Sequence, residues 1–144
     1  HANPLRKKHW PINKFIELAI KIQNKGKTPV FFVEKTNQEI INKIKSELPN
    51  ALFPEHNSDL ASPALVTALS SRLEKAISID NGIMHMMSLA NTPMILLFGP
   101  TKPEKFAPDQ NNLNILDSKK MYNTNDISKI TVEDVLNLFF KSTN

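Results

Sequence analysis

The stretch Ala76-Ile77-Ser78-Ile79-Asp80-Asn81-Gly82-Ile83-Met84-His85-Met86-Met87-Ser88-Leu89-Ala90-Asn91-Thr92-Pro93-Met94-Ile95-Leu96-Leu97-Phe98-Gly99-Pro100 decides the fold of this 144-residue chain. Its first four residues are short, apolar and rich in β-branched side chains, and they stop at Asp80, which reads as a strand. Ile83, Met87 and Ala90 then recur at helical spacing until Pro93 breaks the pattern. Residues 94–98 form a continuous apolar run closed by Gly99-Pro100, as expected of a strand covered on both faces. Strand, helix and strand in this order make a βαβ unit, whose two strands must lie parallel.

The same alternation extends outward in both directions. Upstream, Phe15, Leu18, Ala19 and Ile22 mark an amphipathic helix over residues 12–24 that Gly26 ends. Residues 29–33 (Pro-Val-Phe-Phe-Val) read as a buried strand. Ile40, Ile41, Ile44 and Leu48 read as a helix running to Pro49, and Ala51-Leu52-Phe53 as a brief strand. Leu65, Ala68 and Leu69 mark a helix that begins near Ser62-Pro63, proline being tolerated in a first turn. Downstream, residues 100–112 are expected to be an exposed loop and 113–116 a strand. A final helix follows Thr131, whose partner Asp134 makes an acidic capping box, and Val132, Val135, Leu136, Phe139 and Phe140 supply its apolar face. The expected fold class is α/β, a Rossmann-like doubly wound parallel sheet in three αβα layers, with residues 1–144 as one domain.

Composition narrows the function. Eighteen basic and fourteen acidic residues with 40% hydrophobic content describe one ordinary domain. The absence of cysteine excludes disulfides, thiolate metal sites and a cysteine nucleophile. No apolar run approaches the roughly 18 residues of a membrane span, so no transmembrane segment is expected. The start at His1-Ala2-Asn3-Pro4 reads as a piece of something longer. Charge is uneven. Residues 1–45 carry ten Lys/Arg against Glu17, Glu34 and Glu39, or +7, while residues 46–144 carry eight against eleven, or −3. A basic front third attracts anions. Such a bias suits nucleic acid, acidic lipid or a phosphorylated small molecule, and two arginines, one tryptophan and one tyrosine without basic–aromatic interleaving argue against nucleic acid.

In doubly wound sheets ligands bind beyond the carboxyl ends of the strands, here Glu34, Pro54, Asp80 to Gly82, and Gly99 to Thr101. Asp80-Asn81-Gly82-Ile83-Met84-His85 sits at such a strand-to-helix junction. The first N–H groups of a helix lack intrahelical partners and lie at the positive end of its dipole, so a diphosphate suits that position. Gly82 leaves the backbone approachable, Asp80 can cap the turn, and His85 can reach back over it. The same spacing also fits a plain capped turn with a half-buried imidazole. Glycines at 26, 82 and 99 alone provide neither a dinucleotide fingerprint nor a P-loop. No Asp-x-Asp or His-x-x-x-His pair offers metal ligands, so no metal and no cofactor is expected. Lys8 in its basic run, the methionines at 84, 86 and 87, and Trp10 also have bland readings, as solvated surface or as packing.

The string from Asp80 through Phe98 to Gly99-Pro100-Thr101-Lys102-Pro103 resembles the signature of glycosyltransferase family 9, the lipopolysaccharide heptosyltransferases. His1 to Pro11, with its Lys8-His9-Trp10-Pro11 element, resembles the opening of that family's C-terminal domain. The resemblance implies one half of a GT-B enzyme, the domain that binds a nucleotide-sugar donor, with the N-terminal acceptor domain lying outside this chain. By similarity Lys8 would meet the donor diphosphate. The backbone at Asn81, Gly82 and Ile83, with His85, would hold the phosphates, Asp80 would belong to the same nucleotide-sugar-binding turn as its cap, and Glu39 would meet ribose or base, with Glu34 its competitor. Gly99, Pro100 and Thr101 would line the cleft near the sugar. Asn81 stands where the family more commonly has Ser or Thr. The implied activity is inverting transfer from an ADP-sugar-type donor to a lipid-linked saccharide in envelope polysaccharide assembly. The implied location is the cytoplasm, peripheral at the inner face of the inner membrane. The general base would lie in the N-terminal domain, leaving this piece inactive alone. The alternatives are a non-catalytic nucleotide-binding regulatory module and an electrostatic binder of nucleic acid or anionic lipid.

Overall fold

The structure, a computed structural model, describes residues 9–54 and 63–141. Among the described residues seven α-helices and three strands follow one another as α1 (Ile12–Gln23), α2 (Gln38–Glu47), α3 (Pro63–Ser70), β1 (Ala76–Ile79), α4 (Gly82–Leu89), β2 (Met94–Phe98), α5 (Pro103–Phe106), β3 (Leu113–Asp117), α6 (Ser118–Tyr122) and α7 (Val132–Phe139). A 3-10 turn over Ile127–Lys129 precedes α7. The three strands form one parallel sheet in the order β1-β2-β3, in which Ile79 pairs with Leu97 and Phe98 with Asp117.

Alternation along β2 shows why the run is apolar throughout. Ile95 and Leu97 face a cluster built by Leu18 and Ile22 of α1 and Val132 and Val135 of α7. Met94, Leu96 and Phe98 face the opposite side, against Met84 and Met87 of α4. All five residues of β2 are buried, and helices cover both faces, which is the three-layer αβα arrangement expected. Two of the three methionines thus fill core space, their flexible chains fitting gaps that branched residues would leave. The second stripe of α1, Ile16 and Ala19, packs with Ile41, Ile44 and Leu48 of α2 and its end and with Phe53, so α1 joins two clusters.

Two expected strands are reduced. Residues 29–33 and 51–53 meet through a single parallel bridge, Val30 with Leu52, carried by Phe31 N–H to Leu52 O at 2.9 Å and Leu52 N–H to Pro29 O at 3.1 Å. Pro29 offers no N–H, and Leu52 lies in a short segment closed by Pro49 on one side and Pro54 on the other, so the ladder cannot lengthen at those positions. The expected loop over residues 100–112 contains α5, one helical turn begun by Pro103. The α6 helix and the 3-10 turn are additions to the pattern read from sequence. The capping box at α7 is present, with Asp134 N–H donating to Thr131 Oγ1 at 3.1 Å and Thr131 N–H to Asp134 Oδ2 at 2.9 Å. No helix among the described residues is long and apolar enough to cross a membrane.

Candidate functional site

The carboxyl ends of β1, β2 and β3 share one edge of the sheet because the strands are parallel. From β1 the chain passes through Asp80 and Asn81 into α4. Asn81 is the cap of that helix: its backbone is extended (φ −154°, ψ −179°), and its Oδ1 accepts from Met84 N–H at 3.0 Å. The capping role expected of Asp80 therefore belongs to Asn81. Asn and Asp cap equally well, and the cap falls to whichever residue directly precedes the first helical position. Asp80 stays half-buried one residue before it.

The cap satisfies one first-turn donor and leaves two. Among the described residues no acceptor meets the N–H of Gly82 or of Ile83. Gly82 is exposed, and a Cβ placed on it would have nothing within 4 Å, so a ligand can approach this backbone. His85, at the fourth helical position, is also exposed. Helical side chains lean toward the N-terminus, which directs the imidazole to the same end as the two amides. Asn81, Gly82, Ile83 and His85 thus lie at the same, amino-terminal end of α4.

The neighbouring turn after β2 is built differently. Gly99 is buried because the segment before α7 packs onto it. A Cβ there would stand 2.7 Å from Asn125 O, 2.9 Å from Ile127 Cβ and 3.0 Å from Ile127 N. Pro100 O accepts from Lys119 Nζ at 3.1 Å, while Thr101 remains half-buried. Gly99 serves packing, and only Pro100 and Thr101 of this turn retain exposed surface. The residues behind it, Lys119 and Asn125 to Ile127, were not among those expected at the site. Asp117-Ser118-Lys119 does carry a readable signal, a cap followed by a helix start, since Asp117 Oδ1 accepts from Lys119 N–H at 3.0 Å.

Glu39 lies in the first turn of α2 and is exposed, as is Glu34. No hydrogen bond or ion pair of the described residues joins Glu39 to α4 or to the Gly99 turn. Lys8 lies outside the described residues. Its near neighbour Trp10 is buried, packs edge-on against Phe15 at 4.8 Å, and donates its indole N–H to Ile130 O at 2.9 Å. Ile130 ends the segment that covers Gly99, so the chain enters α1 beside the carboxyl edge. No group of three or more metal-ligating side chains occurs among the described residues. Two surface depressions lie elsewhere. One of about 580 Å³ is lined by Lys21 of α1, Lys25 just beyond it, and Glu133 and Phe140 of α7 and its end; one of about 380 Å³ is lined by Ser88, Asn91 and Gln110 near the amino ends of β2 and β3. Neither includes a candidate residue; Asn81, Gly82 and His85 at the start of α4 are exposed.

Against known proteins, the family model described as glycosyltransferase family 9 (heptosyltransferase) matches residues 1–136. The chain is 26% identical over 112 residues to lipooligosaccharide heptosyltransferase 2 of Haemophilus influenzae, covering 76% of this chain and 32% of that protein. It is 28% identical over 111 residues to lipopolysaccharide heptosyltransferase 2 of Salmonella typhimurium, covering 70% of this chain and 29% of that one. Among solved structures it superposes on an E. coli heptosyltransferase with ADP at a TM-score of 0.78 and 20% identity, covering 96% of this chain and 41% of that one. A glycosyl transferase family 9 protein from Veillonella parvula gives 0.74 at 22% identity, covering 95% and 42%. The chain spans 32% and 29% of those two curated relatives' lengths, and the structural likeness establishes the fold.

Proposed function

Since the chain belongs to glycosyltransferase family 9, whose pattern runs through residues 1–136, we propose that it forms the donor-binding half of a heptosyltransferase-like sugar transferase. The observation that carries this reading is the pair of unpartnered N–H groups on Gly82 and Ile83 at the start of α4, with His85 beside them. The donor is an ADP-linked sugar, a choice supported by the ADP in the related E. coli structure.

Charge accounting shows why one helix end is not enough. An anion at an exposed helix N-terminus gains about 0.3–1 kcal/mol, whereas micromolar binding needs about 8 kcal/mol. Direct hydrogen bonds from the two amides, the Lys8 ammonium, the His85 imidazole and a nucleoside contact from Glu39 must supply the rest. An exposed helix start fits a wall that a second domain completes. In the inverting reaction an acceptor hydroxyl attacks the anomeric carbon from the face opposite the diphosphate. The bond from that carbon to the phosphate oxygen breaks, and charge gathers on the departing nucleoside diphosphate. Amides already oriented toward that oxygen stabilise the charge without reorganising. The base that takes the hydroxyl proton and the lipid-linked saccharide acceptor belong to an N-terminal domain outside this chain. The 144-residue chain therefore binds donor and transfers nothing. The place of the whole enzyme is lipopolysaccharide or related envelope assembly, at the cytoplasmic face of the inner membrane.

Isothermal calorimetry with ADP and an ADP-sugar tests this. Saturable heat with a dissociation constant of about 1 mM or tighter is expected. No heat at that concentration, or sugar transfer by the chain alone, refutes it.

A further inference from the structure

The residues at the start of α4 also form the only Asn-Gly pair in the chain, Asn81-Gly82. We infer that Asn81 is a site of spontaneous deamidation, which exchanges its carboxamide for a carboxylate beside the two free amides. The backbone nitrogen of Gly82 gives up its proton and attacks Asn81 Cγ. The new N–Cγ bond closes a five-membered succinimide as the bond from Cγ to the amide nitrogen breaks and ammonia leaves. Water then opens the ring at either carbonyl, giving aspartate or, with the main chain rerouted through the side chain, isoaspartate. Only water is consumed and only ammonia is lost.

Three observations favour this position over the other asparagines. Gly82 has no side chain, and nothing stands within 4 Å of where one would be, so ring closure is uncrowded. The attacking N–H is uncommitted, whereas the N–H after Asn13 is held, Lys14 donating to Pro11 O at 2.9 Å. The cap bond to Met84 N–H at 3.0 Å holds the carboxamide over the first turn and polarises its carbonyl. Closure requires Asn81 to leave its extended conformation at ψ −179°, a local rearrangement of the kind that helix ends undergo at lower free energy than the core.

The consequence rests on the donor-site reading above. Aspartate caps a helix as well as asparagine does, so α4 survives the change. A fixed negative charge next to a bound diphosphate nevertheless weakens binding by about tenfold or more. Isoaspartate also lengthens the main chain at the cap and displaces the amides. Donor binding therefore weakens as the protein ages.

The experiment incubates the 144-residue chain at mildly alkaline pH and maps the tryptic peptide 76–105 by mass over time, Lys102 being shielded from trypsin by Pro103. A gain of one dalton at residue 81 is expected, with isoaspartate detected by carboxyl methylation. It should outpace every other asparagine, be absent in Asn81→Ser, and slow under saturating ADP. An unchanged peptide at a time when a reference Asn-Gly peptide has converted overturns the modification. Aged protein and Asn81→Asp should each bind ADP about tenfold or more weakly than fresh protein. Full conversion with unchanged ADP affinity overturns the consequence alone. Fresh protein that binds no ADP instead refutes the donor-site reading, while the mass record still decides the modification.

Discussion

Gly99→Ala tests how the carboxyl edge is held together. The added methyl would sit 2.7 Å from Asn125 O, 2.9 Å from Ile127 Cβ and 3.0 Å from Ile127 N. Two of these atoms are backbone, so no rotamer change relieves the overlap. The covering segment cannot simply lift. Ser118 Oγ donates to Thr124 O at 2.7 Å, Asp126 Oδ1 accepts from Ser128 N–H at 3.0 Å, and Ile127 and Ile130 are fully buried in the α1–α7 cluster. Overpacking of this kind costs about 1–3 kcal/mol. At about 2–4 °C per kcal/mol for a domain near this size, the melting temperature should fall by about 2–12 °C. Thermal unfolding followed by circular dichroism measures it. A variant melting with wild type would show that residues 125–127 do not press on Gly99, and the account of this turn as a packed joint would fail.

Gly82→Ala should behave in the opposite way. Its methyl meets no atom and its φ is not positive, so stability should hold or rise by about 0.4–1 kcal/mol while the calorimetric heat with ADP shrinks. A destabilised fold, or full ADP binding, contradicts the exposed placement of Gly82 or its role respectively. The capping box predicts an acid sensitivity. Desolvation pushes the Asp134 carboxyl up, but hydrogen bonds from Tyr122 Oη–H and from Thr131 outweigh it and leave its pKa below the ordinary aspartate value. A depressed folded value means that its stabilisation is complete above the unfolded aspartate range and is lost as pH falls through the folded one. Urea midpoints measured at successively lower pH should drop more steeply for wild type than for Asp134→Asn, and parallel curves would remove Asp134 from the account.

The β1–α4–β2 unit was legible because its signals agree. An unbroken apolar run of this length, bounded by Pro93 and Gly99-Pro100, is too short for an ordinary helix and fits a strand wedged between two helical layers. Thr131 and Asp134 announced α7 for an equally local reason, since a capping box is written in two residues. Residues 29–33 and 51–53 have strand-like composition, yet pairing depends on which N–H groups find partners. Prolines at 29, 49 and 54 limit that in a way hydrophobicity does not report. Assigning the cap to Asp80 failed for a subtler reason. Two adjacent residues with equal capping power differ only in register, and register is set by where the first helical turn begins.

That register has a chemical consequence. With Asn81 as the cap, its side chain occupies the third helical N–H and leaves the first two, those of Gly82 and Ile83, without an acceptor among the described residues. Had Asp80 been the cap, its carboxylate would have competed with an incoming phosphate for the same positive end. A neutral cap avoids that repulsion and still ends the helix cleanly, so the placement that sequence reasoning missed is the one better suited to an anion. The residues that anchor this edge from behind, Trp10 on Ile130, Ile127 on Gly99 and Lys119 on Pro100, come from distant parts of the chain. They lock the turn after β2 and the entrance to α1 to one scaffold. Loosening any of them should therefore disturb the turn after β2 before it disturbs α4, whose cap is entirely its own.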